Sequence, residues 1–210
     1  MKNALRMNGS GVVLAAVLAL GCGGVPEEQP APASHQEAAL TVTGDFDGDG
    51  SSDTLTTSLT GISIHHPAKG TTKFYGFSGS FAVNNATQDL DGTVGLEVVV
   101  VTSGGISVIT DKKGTSQFYS FSGSFSIVNV SDTDGVAGAE VVTAALGGVS
   151  VIRHRSASSY FYPFSGTYQV NTVVDTNGVA GAELFISTST NKYILTDRTG
   201  QTTTTTQTGC

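Results

Sequence analysis

The chain has 210 residues, of which 27 are glycine, none is tryptophan and only 13% are charged. This length allows one substantial core or ring and excludes two ordinary domains. The formal net charge of −7 makes nucleic acid an unfavourable partner, because the phosphate backbone repels an acidic surface.

The first predicted element is an export signal. Lys2 and Arg6 precede an apolar stretch, residues 12–20, that is too short to span a bilayer. The stretch runs into Ala19-Leu20-Gly21-Cys22, which resembles a bacterial lipobox, where the cysteine becomes the lipidated first residue. Residues 1–21 are therefore predicted to be a lipoprotein signal peptide. A conventional signal peptide cleaved nearby and an uncleaved anchor are the alternatives.

A Pro-rich segment, residues 22–39, follows the signal and predicts a flexible tether. Lipid on Cys22 would hold the protein at a membrane of the bacterial cell envelope, at the outer membrane or cell surface rather than in the cytoplasm. Cys210 then has no partner within the chain, which suggests pairing with another molecule or a free chain end. Without the lipid, Cys22 and Cys210 can instead pair with each other.

An acidic loop recurs four times in the rest of the chain. The first copy is Asp45-Phe-Asp47-Gly-Asp49-Gly-Ser-Ser-Asp53, and the later copies begin at Asp89, Asp132 and Asp175. The spacings of 44, 43 and 43 residues are typical of stacked or radially arranged repeats. The sequence therefore divides into four units, residues 40–80, 81–124, 125–167 and 168–210.

Each unit contains four segments with the pattern of short strands. One segment enters the acidic loop, and an apolar run such as Val98-Val-Val-Val leaves it. A Gly-led alternating segment follows, as in Gly105-Ile-Ser-Val-Ile, and the unit closes with an aromatic segment such as Phe118-Tyr-Ser-Phe. β-branched and aromatic runs separated by Gly, Ser and Asp predict strands joined by tight turns.

Four short antiparallel strands in 43 residues are typical of one propeller blade. The sequence therefore predicts an all-β fold, a β-propeller built from four four-stranded repeats over residues 40–210. No segment after residue 40 has helical periodicity. The last strand of the fourth unit is a run of threonines, residues 202–206, which suits the polar outer strand of an end repeat.

The first acidic loop carries the strongest chemical signal. Carboxylates at its positions 1, 3, 5 and 9, with glycine at position 6, place several hard oxygens around a space of the size of Ca²⁺. We predict Asp45, Asp47, Asp49 and Asp53 as side-chain ligands, with the backbone carbonyl at position 7. The spacing resembles the start of an EF-hand loop, although strands flank it here. A stack of Asx turns that holds no metal is the alternative.

The other three loops have fewer carboxylates, because Thr93, Val136 and Val179 replace the aspartate at position 5. Affinity for Ca²⁺ follows the number of charged ligands, so these loops are weaker candidates. The favoured interpretation is that the aspartates cap turn N–H groups and the glutamates brace the following strand. The candidate ligands in these loops are Asp89, Asp91 and Glu97, then Asp132, Asp134 and Glu140, and finally Asp175, Asn177 and Glu183.

Acidic loops between strands, in units that end with an aromatic segment and Gly, resemble the FG-GAP/VCBS repeats of integrin α-chain propellers and of many secreted bacterial proteins. The resemblance covers residues 40–210. It implies a β-propeller whose calcium loops stiffen one face and whose loops bind a protein or a glycan. Integrin-type rings have seven blades and this chain supplies four, so a four-bladed ring, a dimer that completes a larger ring and an open fragment all stay open.

The sequence contains no Gly-x-Ser-x-Gly elbow, His-Glu-x-x-His motif or phosphate loop, so it predicts no enzyme activity. The pair His65 and His66 is interpreted as part of an exposed strand face, with a functional site unique to the first repeat as the alternative. The segment Arg153-His-Arg155 is interpreted as a solvated turn, with an anion site as the alternative.

One tyrosine recurs at the same offset in three units, as Tyr75, Tyr119 and Tyr162. We interpret these residues as packing between sheets, since aromatic side chains supply much of the core in a protein without Trp. Stacking on sugars is the alternative. The sequence thus predicts a non-catalytic, calcium-supported module for protein binding, adhesion or scaffolding. A carbohydrate-binding propeller and an accessory subunit of an exported enzyme are the other candidates.

Overall fold

The computed structural model describes residues 39–206, which form four four-stranded antiparallel sheets. The prediction of an all-β chain made of four-stranded units is therefore confirmed. The helical segments in this range are three single 3-10 turns, Asp111–Lys113, His154–Ser156 and Asp197–Thr199. The predicted signal and tether, with Cys22, and the C-terminal Cys210 lie outside the described residues.

Each sheet is a simple meander, with its strands side by side in chain order. The first sheet contains β1 (Thr41–Gly44), β2 (Asp53–Ser58), β3 (Gly61–His66) and β4 (Thr71–Gly76). The second contains β5 (Phe81–Gln88), β6 (Glu97–Thr102), β7 (Gly105–Thr110) and β8 (Thr115–Ser120).

The third and fourth sheets repeat this arrangement. The third contains β9 (Phe125–Ser131), β10 (Glu140–Ala145), β11 (Gly148–Arg153) and β12 (Ser158–Pro163). The fourth contains β13 (Tyr168–Val174), β14 (Glu183–Thr188), β15 (Asn191–Thr196) and β16 (Gln201–Thr206). The threonine run of β16 pairs with β15 along its whole length, so it completes the fourth sheet despite its lack of aromatics.

The two middle strands of the second and third sheets are buried on both faces. In β6 the residues from Glu97 to Val100 are all buried, and in β7 all six residues are. A strand that is covered on both sides has a continuous apolar run instead of an alternating pattern. These sheets therefore need a neighbouring sheet on each face.

Three apolar cores lie between successive sheets. The core between the first and second sheets includes Leu55, Ile62 and Ile64 from one side and Val98 and Val100 from the other. The second core joins the second and third sheets, and the third core joins the third and fourth. The sheets are thus packed face to face in chain order, which is a blade-like arrangement.

The acidic loops of successive sheets also touch through their backbones. The N–H of Leu96 in the second loop donates to the carbonyl oxygen of Asp45 in the first loop at 2.9 Å. The same contact recurs between the next pairs of loops, from Ala139 to Asp89 at 2.7 Å and from Ala182 to Asp132 at 2.9 Å. The described residues show this bond at three junctions and show none from the first loop to the fourth. A closed ring is therefore not shown.

The outer face of the first sheet is polar. Thr54 and His65 occupy the paired positions that Val98 and Ile109 occupy on the second sheet, where they are buried in the first core. Thr56 likewise stands where the second sheet has Val100. A polar outer face is characteristic of an end repeat, because it needs no further neighbour.

Glycines make the close approach of the loops possible. Gly92 has φ of +74° and lies against the third loop, where a Cβ would be 2.5 Å from the carbonyl oxygen of Ala137. Gly48 is placed in the same way against the second loop. Gly178, the equivalent residue of the fourth loop, has φ of +70°, but no other atom lies within 4 Å of its Cβ position.

This difference predicts the effect of an added methyl group on stability. We expect Gly178→Ala to lower the free energy of unfolding by about 1 to 2 kcal/mol, the cost of a left-handed non-glycine residue. Gly92→Ala has the same backbone cost and also a clash with the next loop, so we expect it to lose at least about 2 kcal/mol more. Urea denaturation of both variants measures the difference, and equal losses would contradict the close packing of the loops.

Candidate metal centre

The first acidic loop connects β1 to β2 and is folded around the carboxylate of Asp45. This carboxylate accepts hydrogen bonds from the N–H groups of Gly48 at 2.8 Å, Asp49 at 3.1 Å and Gly50 at 2.9 Å. Such bonds hold the loop in a tight turn without any ion. Asp45, predicted as a calcium ligand, therefore already has a structural role.

Asp53 closes the loop from its other end. Its Oδ2 accepts hydrogen bonds from the N–H groups of Phe46 at 2.9 Å and Asp47 at 3.3 Å. Phe46 is buried in the first core, so the loop is anchored to the apolar interior. The other oxygen, Asp53 Oδ1, is buried and has no hydrogen-bond partner.

Asp47 and Asp49 lie at the mouth of the loop, where Lys69 approaches both. The Lys69 ammonium forms ion pairs with Asp47 and, at 3.1 Å, with Asp49. Two hydrogen bonds lower the pKa of Asp49. The larger effect comes from the Ser51 N–H and the smaller from the Lys69 ammonium. The Asp45, Asp47 and Asp49 side chains offer oxygens within 4.8 Å of one another, so three of the four predicted ligands can reach one cation.

His66, at the end of β3, lies beneath the same loop. The prediction of an exposed strand face holds for His65 and is wrong for His66, which is only 1% exposed. Successive residues of a strand point to opposite faces, so His65 faces solvent and His66 faces the loop. The His66 Nδ1 lies 3.0 Å from Asp53 Oδ1 and 3.2 Å from Asp47 Oδ2.

The second loop has the same shape, with Glu97 in the place of Asp53. Glu97 Oε2 accepts a hydrogen bond from the Leu90 N–H at 2.7 Å, and Asp89 accepts one from the Gly92 N–H. Asp91 pairs with the ammonium of Lys113 at 2.7 Å. The pKa of Glu97 is raised to about 7, chiefly by burial, which the Leu90 hydrogen bond opposes and the charges of Asp91 and Asp89 reinforce.

The third loop is neutralised by arginines. Arg155 pairs with Asp134 and, at 2.9 Å, with Glu140, while Arg153 also lies 3.1 Å from Asp134. The sequence analysis interpreted residues 153–155 as a solvated turn, and this interpretation is wrong for both arginines. Their guanidinium groups lie beside the carboxylates that were candidate ligands. Asp132 accepts from the Gly135 N–H, as the first aspartate does in the other loops.

In the fourth loop, the group that contacts the glutamate is a neutral amide, that of Asn177, and not a lysine or an arginine. The Asn177 side chain donates to Glu183 Oε1 at 2.6 Å, and Glu183 Oε2 accepts from the Thr176 N–H at 3.0 Å. Asp175 accepts from the Gly178 N–H at 2.8 Å. In loops two to four, the first aspartate thus caps the turn and the glutamate braces it. Metal binding by these loops stays a prediction.

A second set of polar contacts joins neighbouring sheets outside the loops. The Tyr75 hydroxyl donates to Asp111 Oδ1 of the next sheet at 2.7 Å, and the Tyr162 hydroxyl donates to Asp197. The Tyr119 hydroxyl meets His154 Nδ1 at 3.0 Å. These tyrosines pack between sheets, as predicted, and their hydroxyls are hydrogen-bonded there.

The partners of these tyrosines are not evident from the sequence. Asp111, His154 and Asp197 each follow the third strand of their sheet and begin the short 3-10 turn. The first sheet has Pro67 at this position, so its turn offers no such acceptor. Only alignment of the four turns by the 43-residue period would show that three of them carry a polar side chain here.

Three phenylalanines of the fourth strands are exposed aromatic residues, and Tyr160 of β12 is another. Phe74, Phe118 and Phe161 are between 50% and 58% exposed. Each ring lies over a glycine of the neighbouring strand; at Gly105, for example, a Cβ would be 2.9 Å from the Phe118 ring. The glycines that open the third strands thus make room for these rings. Each of the first three sheets thus has a half-exposed phenylalanine on its fourth strand.

A groove of about 480 Å³ lies between the outer strands of the second and third sheets. Phe118 and Phe161 line it together with Leu146, and serine hydroxyls add polar groups. The groove therefore combines half-exposed aromatic rings with hydroxyl groups, both of which can contact a ligand.

Comparison with family models found no family that matches the chain, and comparison with curated proteins found no match either. The resemblance to FG-GAP/VCBS repeats therefore remains a prediction from the loop motif. Within residues 39–206, no helix is long and apolar enough to cross a membrane.

The raised pKa of Glu97 predicts a pH dependence of stability. A carboxyl group whose pKa is higher in the folded state favours folding when protonated, so its contribution is lost as pH rises from about 4.5 to about 7. In chelator at pH 8, we expect Glu97→Gln to raise the free energy of unfolding by about 1 to 3 kcal/mol over the wild type. The gain should vanish near pH 4. Urea denaturation at both pH values tests this, and a gain independent of pH would contradict it.

Proposed function

We propose that this chain is a non-catalytic, lipid-anchored binding or scaffold module of the bacterial cell envelope, with a first loop that is closed by Ca²⁺. The observation that carries the proposal is the set of four carboxylates in this loop, because each later loop has fewer. Asp45, Asp47, Asp49 and Asp53 lie around one turn. Such oxygen-rich loops between strands suit a hard cation.

The balance of charge favours the first loop over the third. Lys69 contacts Asp47 and Asp49 but has a side chain that is 48% exposed. A half-exposed ammonium on a long side chain moves into solvent at low cost, which frees both oxygens for a cation. In the third loop, by contrast, two arginines contact Asp134 from more buried positions, with side chains that are 16% and 20% exposed.

We assign the four sheets to propeller blades, as the FG-GAP/VCBS resemblance implies. The face-to-face cores and the repeated loop contacts support blades in a row. The polar outer face of the first sheet and the open space beside Gly178 favour an open set of four blades over a closed four-bladed ring. A dimer that completes a larger ring is the remaining arrangement, and sedimentation of the purified chain would reveal it.

The groove between the second and third sheets is the best candidate for the binding surface. Its phenylalanine rings and Leu146 suit a protein segment with apolar side chains. A glycan is the second candidate. Sugars can stack their apolar faces on the aromatic rings, and the serine hydroxyls beside these rings can bond to sugar hydroxyls. The proposal assigns no reaction to this groove.

Anchoring through Cys22 is the part of the proposal that rests on sequence alone. The short apolar stretch before Cys22 and the Pro-rich tether after it support a lipid at this residue. Labelled fatty acid should enter the wild type and not Cys22→Ala. A wild type that takes up no label would contradict the anchor and leave the calcium proposal untouched.

Calcium should stabilise the fold through the first loop. A ligand that binds only the folded state adds about 2.7 kcal/mol at a hundredfold excess over its Kd, so chelation should lower the Tm. We expect Asp49→Ala to remove most of this calcium-dependent shift. Asp175→Ala is the matched control and should leave it nearly unchanged, because the fourth loop begins with one aspartate and Asn177. Equal Tm values of the wild type in excess chelator and excess calcium would contradict the proposal.

Ligand binding should depend on the groove between the second and third sheets. A glycan array and a crosslinking pull-down identify the ligand, each run with and without calcium. With that ligand, we expect Phe118→Ala or Phe161→Ala to weaken binding at least about tenfold, as loss of a central aromatic contact does. Phe74→Ala removes an equally exposed ring outside this groove and should bind normally. Equal loss in all three variants would exclude the groove as the specific site.

A further inference from the structure

The His66 ring is enclosed by carboxylates on both of its nitrogens. Nδ1 faces Asp53 Oδ1 at 3.0 Å and Asp47 Oδ2 at 3.2 Å, and Nε2 faces Asp111 Oδ2 of the second sheet at 3.1 Å. The side chains of His66 and Asp53 are 1% exposed, and that of Asp47 is 5% exposed. This cluster is thus buried at the first junction between sheets.

The polar atoms of this cluster are close but unsatisfied. Asp53 Oδ1 and both nitrogens of His66 are buried and lack an aligned hydrogen bond. A neutral imidazole has one N–H and one lone pair, so one of its nitrogens necessarily turns a lone pair toward a carboxylate oxygen. Burying such groups without a partner is costly. A cation between Nδ1 and the two carboxylates removes this conflict.

We propose that His66 Nδ1, Asp53 Oδ1 and Asp47 Oδ2 bind a divalent transition-metal ion of the zinc class. Their ligand atoms lie within 4.8 Å of one another. Two ligand atoms that are each about 2.1 Å from one Zn²⁺ lie about 3.0 to 3.4 Å apart at angles between 90° and tetrahedral. The distances from Nδ1 to the two oxygens fall in this range.

The donor set selects the class of metal. Calcium takes oxygen ligands, whereas an imidazole nitrogen with carboxylates suits Zn²⁺ and its neighbours. Asp111 fits the role of an orienting carboxylate, because a metal-bound histidine donates its other N–H to such a group. The half-exposed Lys69, which now contacts Asp47, can leave for solvent and keep its contact with Asp49.

This proposal can be tested apart from the calcium proposal, although the two sites share Asp47 and the predicted calcium ligand Asp53. Asp45 and Asp49 belong to the calcium loop alone, and His66 belongs to the zinc site alone. Because Asp111 lies in the second sheet and Asp53 in the first, an ion on His66 would tie together the two sides of the first junction.

The test is Zn²⁺ titration of the metal-free full chain by calorimetry. We expect one tight Zn²⁺ per chain in the wild type and in His65→Gln, which changes the exposed neighbouring histidine. His66→Gln should bind at least tenfold more weakly. Asp111→Asn keeps all three ligands and should weaken binding by about 10- to 100-fold, as loss of an orienting partner does. Equal affinity of the wild type and His66→Gln would overturn the site.

Two further measurements separate the possible failures. Asp49→Ala should lose calcium stabilisation and keep zinc binding. His66→Gln should keep calcium stabilisation and lose zinc binding. If His66→Gln does not fold, ¹⁵N NMR of histidine in the wild type replaces it, and Zn²⁺ should shift the ring nitrogens of one buried histidine. Ring nitrogens that do not respond to excess Zn²⁺, or a His66 ring that stays protonated on both nitrogens, would show an ion-pair cage instead of a metal site.

Discussion

A sheet whose middle strands are apolar on both faces cannot be stable alone in water, and this constraint organises the molecule. The strands β6 and β7 are buried along nearly their whole length, so the second sheet requires the first on one side and the third on the other. Apolar burial is non-directional, however, and does not fix how one sheet lies on the next. Directional contacts must do that.

The acidic loops provide the first of these directional contacts. The N–H of Leu96 bonds to the carbonyl of Asp45, and Gly48 leaves room for the carbonyl of Val94 at the same contact between loops. The aspartates that resemble metal ligands hold each loop in the shape that makes this approach possible. Their capping role and any metal binding are therefore compatible, since each carboxylate has more than two acceptor sites.

The second directional contact is the tyrosine hydroxyl that reaches the next sheet. Tyr75 and Tyr162 donate to buried aspartates, and Tyr119 meets His154. Burial, and in the case of Tyr75 and Tyr162 the neighbouring carboxylate, raises the pKa of these hydroxyls, so they remain protonated at any physiological pH. The junctions thus combine an apolar centre with polar contacts that set the position of each sheet.

The repeat period, the four strands of each unit and the acidic loops could be predicted from the sequence, because they depend on neighbours along the chain. Alternation such as Gly105-Ile-Ser-Val-Ile fixes a strand, and Asp with Gly fixes a turn, whatever the sheet packs against. The partners of His66, Tyr75 and Arg153 could not be predicted this way. Asp111 is 45 residues after His66 and Asp197 is 44 residues after Arg153, so these pairs exist only once the sheets are stacked.

The sequence by itself therefore determined the units and their loop chemistry. Only the tertiary structure decided that His66 meets Asp111 and that Arg153 meets Asp197, because packing of separate sheets brings those charges together.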